Sequence, residues 1–324
     1  MLFKKYMGDK TSQTMRDAFI NAVYARMKKN RSIFFLSADL GAPALDRLKR
    51  DFKDRFINVG IAEQNLINVS TGLALEGYTV FAYGICPFIT MRAYEQIRQS
   101  LSISSQIRSV NVNLIGLGAG LSYGLSGPSH HCLEDLSIMK LMPNFTIFSP
   151  SDWKLAEKFV NYSIDVHAPK YLRLDGAILP LIYEGMKDFN LKKGFYELSK
   201  GKKVCLVSTG FMTQVALKII KSLSNIGLID VFLLKPINER ALFNALKHYK
   251  CIITLEEAFI NNGGLDSLIS KIFRDYRFDA RLKNLGFSDK HVFKIGSRDY
   301  LHKLNGLDEA SIKMIIQNLC RNMH

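Results

Sequence analysis

The 324-residue chain has no apolar run approaching the roughly 18–20 residues of a membrane-spanning helix. Its opening stretch, "MLFKKYMGDKTSQ", is too polar for a secretory signal. The expected location is cytoplasmic, with no membrane association. Cysteines are few and scattered. Cys86, Cys132, Cys205, Cys251 and Cys320 are odd in number and show no C-x-x-C spacing. That argues against a disulfide framework or a thiolate zinc site and predicts reduced, buried thiols. No internal repeat or low-complexity tract is visible. The formal charge is +15, yet basic residues form no blocks and are dense only near Arg47–Arg55 and Ser199–Lys203. No stripe alternates basic with aromatic side chains. The charge reads as solvated faces, and no nucleic-acid partner is expected.

What is present is a long alternation of helix and strand signals. At 48% hydrophobic and 23% charged, the chain can bury sizeable cores, and its length exceeds one average domain. "TMRDAFINAVYARMKKN" has helical spacing, with Thr14 and Asp17 placed as a capping pair. Short apolar runs read as buried strands: "SIFFLSAD", "FINVG", "YTVFAYG", "SVNVNLIGLGAG", "FTIFSP" and "APKYLRLD". Between them lie helices such as "QNLINVSTGLALEG", "FITMRAYEQIRQSLS", "HHCLEDLSIMKLM" and "WKLAEKFVNYSI". The pattern pauses from Gly176 to Lys203, then resumes with "VCLVSTG", "IDVFLLKPIN", "CIITLEE" and "ARLKNLGF" as strands. The expected fold is α/β, with two α/β/α domains. The first, at 10–176, carries a mostly parallel sheet; a linker spans 177–200; a smaller second domain covers 201–324.

In a parallel sheet, ligands gather at the carboxyl ends of the strands. Those ends hold the unusual residues: Asp39, Glu63, the stretch "YGICPF", and "GLGAGLSYGLSGPSHH". Glu63 by itself is ambiguous, because acids are common in the first turn of helices, where they complement the dipole. Convergence of four strand ends on one rim argues for a site.

Together these stretches resemble the transketolase family of thiamine diphosphate enzymes. The matching segments are "SADL" (37–40), "RFINVGIAEQN" (55–65), "PFITMRAYEQIRQS" (87–100), "GPSHHCLEDLSIMKLMPN" (127–144), "SPSD" (149–152), "STG" (208–210) and "TLEEAFINNGGLDS" (254–267). The resemblance covers essentially the whole chain and implies a pyrimidine-binding domain followed by a transketolase C-terminal domain. The diphosphate-binding domain's G-D-G motif occurs nowhere here. The resemblance therefore implies a split enzyme. A partner N-terminal subunit would hold the diphosphate and most contacts to Mg2+ (or Ca2+), this chain would hold no metal, and it would self-associate through its pyrimidine domain, in a heterotetramer.

The resemblance also implies roles. Glu63 would hydrogen-bond N1′ of the aminopyrimidine, favouring the imino tautomer that takes the proton from C2 of the thiazolium, so a raised pKa is expected. Phe88 would stack on the pyrimidine, with Asp39, Ile61 and Arg92 nearby. Arg92 could instead pair with Glu95 or Glu134. His130 would reach the reacting carbonyl or hydroxyl groups of a sugar substrate, with His131 and Ser126 on the substrate side. The sequence departs from the family at Gly118, where a histidine is usual, and at Leu125 and Ser126, where Glu-Asp is usual. Those residues hold sugar hydroxyls in the family, so the usual ketose-phosphate preference is not implied, and Gly118 could make room for a larger or less hydroxylated group. Transfer of a ketol or acyl-anion unit from a ketose-type donor to an aldehyde or ketone acceptor is the reading taken. The alternatives are a 2-oxoacid dehydrogenase β-subunit and a catalytically degenerate structural or regulatory subunit.

Overall fold

The computed structural model describes residues 13–184 and 190–321. Residues 10–12 and 322–324 of the two expected domains, and 185–189 of the expected linker, lie outside the described residues. Helix α1 (Met15–Met27) begins as its sequence predicts: Thr14 Oγ1 accepts from the Asp17 N–H at 3.1 Å and donates to the Asp17 carboxylate at 2.9 Å.

Six parallel strands build the first sheet: β1 (Ile33–Ser37), β2 (Phe56–Asn58), β3 (Thr79–Ile85), β4 (Val112–Leu117), β5 (Thr146–Phe148) and β6 (Lys170–Leu174), in the order β2-β1-β3-β4-β6-β5. β4 and β6 are buried along their whole length, so their apolar residues do not alternate with exposed polar ones, and the polar Asn113, Lys170 and Arg173 are buried with them. α1, α2 (Pro43–Asp51) and α6 (Trp153–Asp165) cover one face. The other carries α3 (Glu63–Leu75), α4 (Tyr94–Gln96) and α5 (Asp135–Lys140).

The second sheet runs β12-β11-β8-β9-β7. It comprises β7 (Phe195–Ser199), β8 (Val204–Ser208), β9 (Ile226–Val231), β11 (Cys251–Phe259) and β12 (Arg281–Phe287), with β7 as an antiparallel edge. Its helices are α7 (Phe211–Ser222), α8 (Glu239–Leu246), α9 (Leu265–Asp275), α10 (Arg298–Leu304) and α11 (Glu309–Arg321). A single hydrophobic cluster runs from Leu114 and Ile147 to Ile229, Ile252 and Leu265, so the two sheets share a core. No helix of the described residues is long and apolar enough to cross a membrane.

Some elements differ from their sequence expectation. "IDVFLLKPIN", expected as one strand, splits after Val231. Its second part, β10 (Leu233–Lys235), leaves the second sheet and pairs antiparallel with β5 of the first. The helix expected over "FITMRAYEQIRQSLS" widens into π-helical turns at Phe88–Arg92 and Ile97–Ile103 around α4. Thr90 Oγ1 donates to the Cys86 carbonyl at 2.7 Å there, a back-bond that bends helices. "HHCLEDLSIMKLM" is helical only over α5. Its first residues are held as a loop, because Cys132 pairs with Gly120 through two backbone hydrogen bonds of 2.9 and 3.2 Å.

One buried network joins the two halves. Arg173 of β6 donates through Nε to Asp135 Oδ2 at 2.7 Å and through Nη2 to the backbone carbonyls of Cys132 and Glu257 at 3.0 and 2.7 Å. Tyr171 donates to the same Asp135 oxygen at 2.7 Å. All these side chains are out of contact with solvent. Beside them, Glu256 of β11 caps α9 by accepting from the Leu265 and Asp266 N–H groups at 2.7 and 2.8 Å. Burial nevertheless pushes its pKa up to about 7.

Two outcomes are expected. Arg173→Met, which leaves Asp135 buried without its counter-charge, is expected to destabilise the fold by roughly 3–5 kcal/mol in chemical denaturation. Pairing it with Asp135→Asn is expected to recover part of that loss. The second concerns pH. Because the folded pKa of Glu256 is raised, its stabilisation is full below the unfolded value near 4.5 and is lost as pH rises through about 7. Denaturation midpoints followed from pH 5 to 8 are expected to fall less steeply in Glu256→Gln.

Candidate active site

The rim at the carboxyl ends of β1–β4 brings four of the expected residues into one line of contacts. After β2 the chain turns and α3 begins at Glu63, whose side chain is only 4% exposed. The preceding Ile61 is 75% exposed. Arg92 Nη1 donates to Glu63 Oε2 at 2.9 Å, and its guanidinium sits 5.1 Å from the centre of the Phe88 ring. Arg92 therefore pairs with Glu63, and not with Glu95 or Glu134 as the alternative reading of its sequence position allowed. The π-helical turn at Phe88–Arg92 carries both residues, four positions apart. The Phe88 ring in turn meets the His130 ring edge-on, at 5.2 Å and 72°. His130 Nδ1 lies 3.1 Å from Ser129 Oγ.

The remaining expected residues sit differently. Asp39, with φ 54°, is exposed; its carboxylate accepts from Asn58 Nδ2 at 2.8 Å, and its N–H donates to Asn58 Oδ1 at 3.1 Å. Asn58 Oδ1 also accepts from the Gly60 N–H, so Asp39 braces the turn that leads into Glu63. His131 is buried, neither ring nitrogen makes a hydrogen bond of good geometry, and burial lowers its pKa. Ser126 is exposed in a 3-10 turn, and no side-chain contact joins it to the line.

Gly118 does not open space. A Cβ at 118 would lie 2.3 Å from Tyr123 Cε2, so the tyrosine ring already fills the volume that the sequence left free. Nothing in the residue pattern singles out Tyr123. The same holds for the ionic cluster that supports its loop. Arg298 of α10 pairs with Asp175 at 2.6 Å and, through Nε, with Glu257 Oε1 at 2.8 Å, its Nη2 also meeting Glu257 Oε2. His302 Nε2 lies 2.5 Å from Glu257 Oε1. Burial opposes the Glu257 charge, but Arg298 and His302 hold its pKa well below the usual carboxylate range. The only signal in the sequence was a pair of acids inside the apolar β11 run.

The donor set suits one end of a planar, nitrogen-containing ring: a buried carboxylate to accept from it and an aromatic ring to stack on it. It offers little to a hard metal ion. Among the described residues, the three possible ligands that come together are Cys86, Cys132 and Asp135, two thiols and a carboxylate already engaged by Arg173 and Tyr171. Mg2+ and Ca2+ require oxygen ligands. Two concavities, of about 590 Å3 beside Lys140 and Lys235 and about 450 Å3 between Phe211 and Lys313, lie away from this rim. The rim is open, and the convergence of side chains marks the site rather than a hollow.

Comparison with known proteins bears on this geometry. The family model "Transketolase, pyrimidine binding domain" matches residues 11–180, and "Transketolase, C-terminal domain" matches 195–312. The chain is 34% identical over 268 residues to an apulose-4-phosphate transketolase subunit of Actinobacillus succinogenes, spanning 81% of this chain and 84% of that one. It is 29% identical over 314 residues to a putative transketolase C-terminal section of Methanocaldococcus jannaschii, spanning 94% and 96%. A solved structure described as a split gene transketolase, inactive beta4 tetramer, superposes with a TM-score of 0.83 at 29% identity, covering 94% of this chain and 97% of that chain. The chain belongs to the transketolase family and corresponds to its pyrimidine-binding and C-terminal portions.

Proposed function

We propose that the chain is one subunit of a split thiamine diphosphate-dependent transferase that moves a ketol unit from a ketose-type donor to an aldehyde or ketone sugar acceptor. The observation that carries this reading is the contact line from Glu63 through Arg92 and Phe88 to His130 on the strand-end rim. Relatives named as single subunits of transketolases, matched over most of their length, support it. On this reading the connection between the two functional units falls within 177–200. A diphosphate-binding N-terminal subunit completes the site and supplies most ligands to Mg2+ or Ca2+. The relative described as an inactive beta4 tetramer supports self-association of this chain, and a lack of turnover without its partner. Two copies of each subunit then make a heterotetramer.

When bound, thiamine diphosphate supplies the carbon that attacks the carbonyl and stores the electron pair. Glu63 holds the proton at N1′ of the pyrimidine, and its burial excludes the water that would compete for it. Arg92 fixes the Glu63 carboxylate in one orientation, and Phe88 presents its ring for stacking. Ile61 adds exposed apolar surface beside the carboxylate, and Asp39 keeps the turn before Glu63 in place. His130 moves the proton at the reacting carbonyl or hydroxyl oxygen, while Ser126, exposed on the adjoining turn, borders the substrate side.

Co-purified with a diphosphate-binding subunit, the wild-type pair is expected to bind thiamine diphosphate and Mg2+ in titration calorimetry and to consume hydroxypyruvate. Glu63→Gln is expected to lower turnover by about 100-fold or more with an unchanged melting temperature. Donor consumption equal to wild type in that variant, or no cofactor binding by the pair, would overturn the proposal. His130→Ala is expected to cost about 10²–10⁴ in kcat while cofactor affinity stays within twofold, checked by the same calorimetry beside steady-state kinetics.

A further inference from the structure

Tyr123 occupies a slot made by two glycines. Gly118, with φ 93°, follows β4, and its missing side chain leaves the space taken by ring atoms Cε2 and Cδ2. Gly176 follows β6, and a Cβ there would meet Tyr123 Cε1 at 3.6 Å and Ser122 Oγ at 2.9 Å. The ring is thus wedged over the ends of two central strands. It stands edge-on to His130, at 6.4 Å and 83°. Its loop is pinned from below: Ser122 Oγ accepts from the Gly176 N–H at 2.9 Å and donates to Asp175 at 3.4 Å, and Asp175 holds Arg298. Where a side chain at 118 or 176 could have reached the reacting groups, a pinned phenyl ring stands instead.

We infer that Tyr123 is a specificity-determining residue of this site, and that its ring selects a sugar presenting C–H rather than a hydroxyl on the carbon next to the reacting carbonyl. The inference rests on the proposed transfer reaction and names the substrate class it takes. A hydroxyl pressed against the ring loses its water and gains no partner from the ring carbons. Burial raises the pKa of the Tyr123 phenol, Cys86 raises it further, Arg16 and Asp175 are also within electrostatic reach, and among the described residues it makes no hydrogen bond. The buried hydroxyl of Tyr83 is likewise within electrostatic reach of Arg16 and Tyr123. In this proposal the ring carbons, edge-on to His130, are the surface that meets the substrate.

The test uses the complex with its diphosphate-binding subunit, thiamine diphosphate and Mg2+, with hydroxypyruvate as donor. The acceptors are ribose 5-phosphate and 2-deoxyribose 5-phosphate, which differ by one hydroxyl beside the aldehyde. Wild type is expected to favour the deoxy acceptor in kcat/KM by about tenfold. Tyr123→Phe is expected to keep that ratio, and Tyr123→Ala to bring it close to one. If the alanine variant fails a thermal melt, Tyr123→His keeps a ring, adds polar nitrogens and is expected to shift preference to ribose 5-phosphate. A wild type that prefers the hydroxylated acceptor, a ratio unmoved in the alanine or histidine variant, or a ratio lost in Tyr123→Phe overturns the inference. Calorimetric binding of the same two sugars to the loaded complex reads the ratio without turnover. A complex that binds both sugars but transfers nothing sinks the transfer reaction and still decides the role of Tyr123.

Discussion

The buried pair between Arg173 and Asp135 is the constraint on which the rest of the site depends. A guanidinium and a carboxylate, both removed from solvent, are tolerated because they pair with each other and share further hydrogen bonds, Asp135 Oδ2 accepting from both Arg173 and Tyr171. Arg173 holds the first turn of α5, the carbonyl of Cys132 and the carbonyl of Glu257 at once. Those three points lie at the end of the His130 loop, at the helix behind it and on the second sheet. A charge that must be satisfied thus fixes where the loop can lie. Arg173, outside the line of contacts, helps to hold the loop on which His130 meets Phe88, together with the Gly120–Cys132 backbone pair.

The second half of the chain contributes to the site without reaching it. Glu257 lies inside the fully buried β11, where a lone carboxylate would be costly, and Arg298 and His302 supply its partners. Arg298 then extends to Asp175, and Asp175 to the loop that carries Tyr123. Gly120 is a glycine for the same reason, since a Cβ there would come within 2.1 Å of Glu257 Oε2. β10 reinforces the union by crossing to the first sheet, so that the edge of that sheet is completed by a strand from the second half of the chain.

Much of this was legible from residue order. Buried parallel strands announce themselves as largely apolar runs, and the structure brings Glu63, Arg92, Phe88 and His130 together in one line of contacts near their carboxyl ends. The capping of α1 by Thr14 followed from local spacing alone. What escaped notice has a common physical character. The split of β9 from β10 is a choice between two sheets that offer the same apolar environment. The π-helical turns hold the same residues as an α-helix and differ by a shift of hydrogen-bond partner. The Arg92–Glu63 pair joins side chains 29 positions apart, and nearer acids looked equally suitable.

Residue order alone set most of the elements and the parallel character of the first sheet, because burial and helix capping act over a few neighbouring residues. Only the tertiary structure decided which acid Arg92 holds, that His131 is buried, and that the gap at Gly118 is filled. Those outcomes depend on volume and charge balance among residues distant in the chain. A glycine looks like free space in sequence, and the ring of Tyr123, five residues later, occupies it.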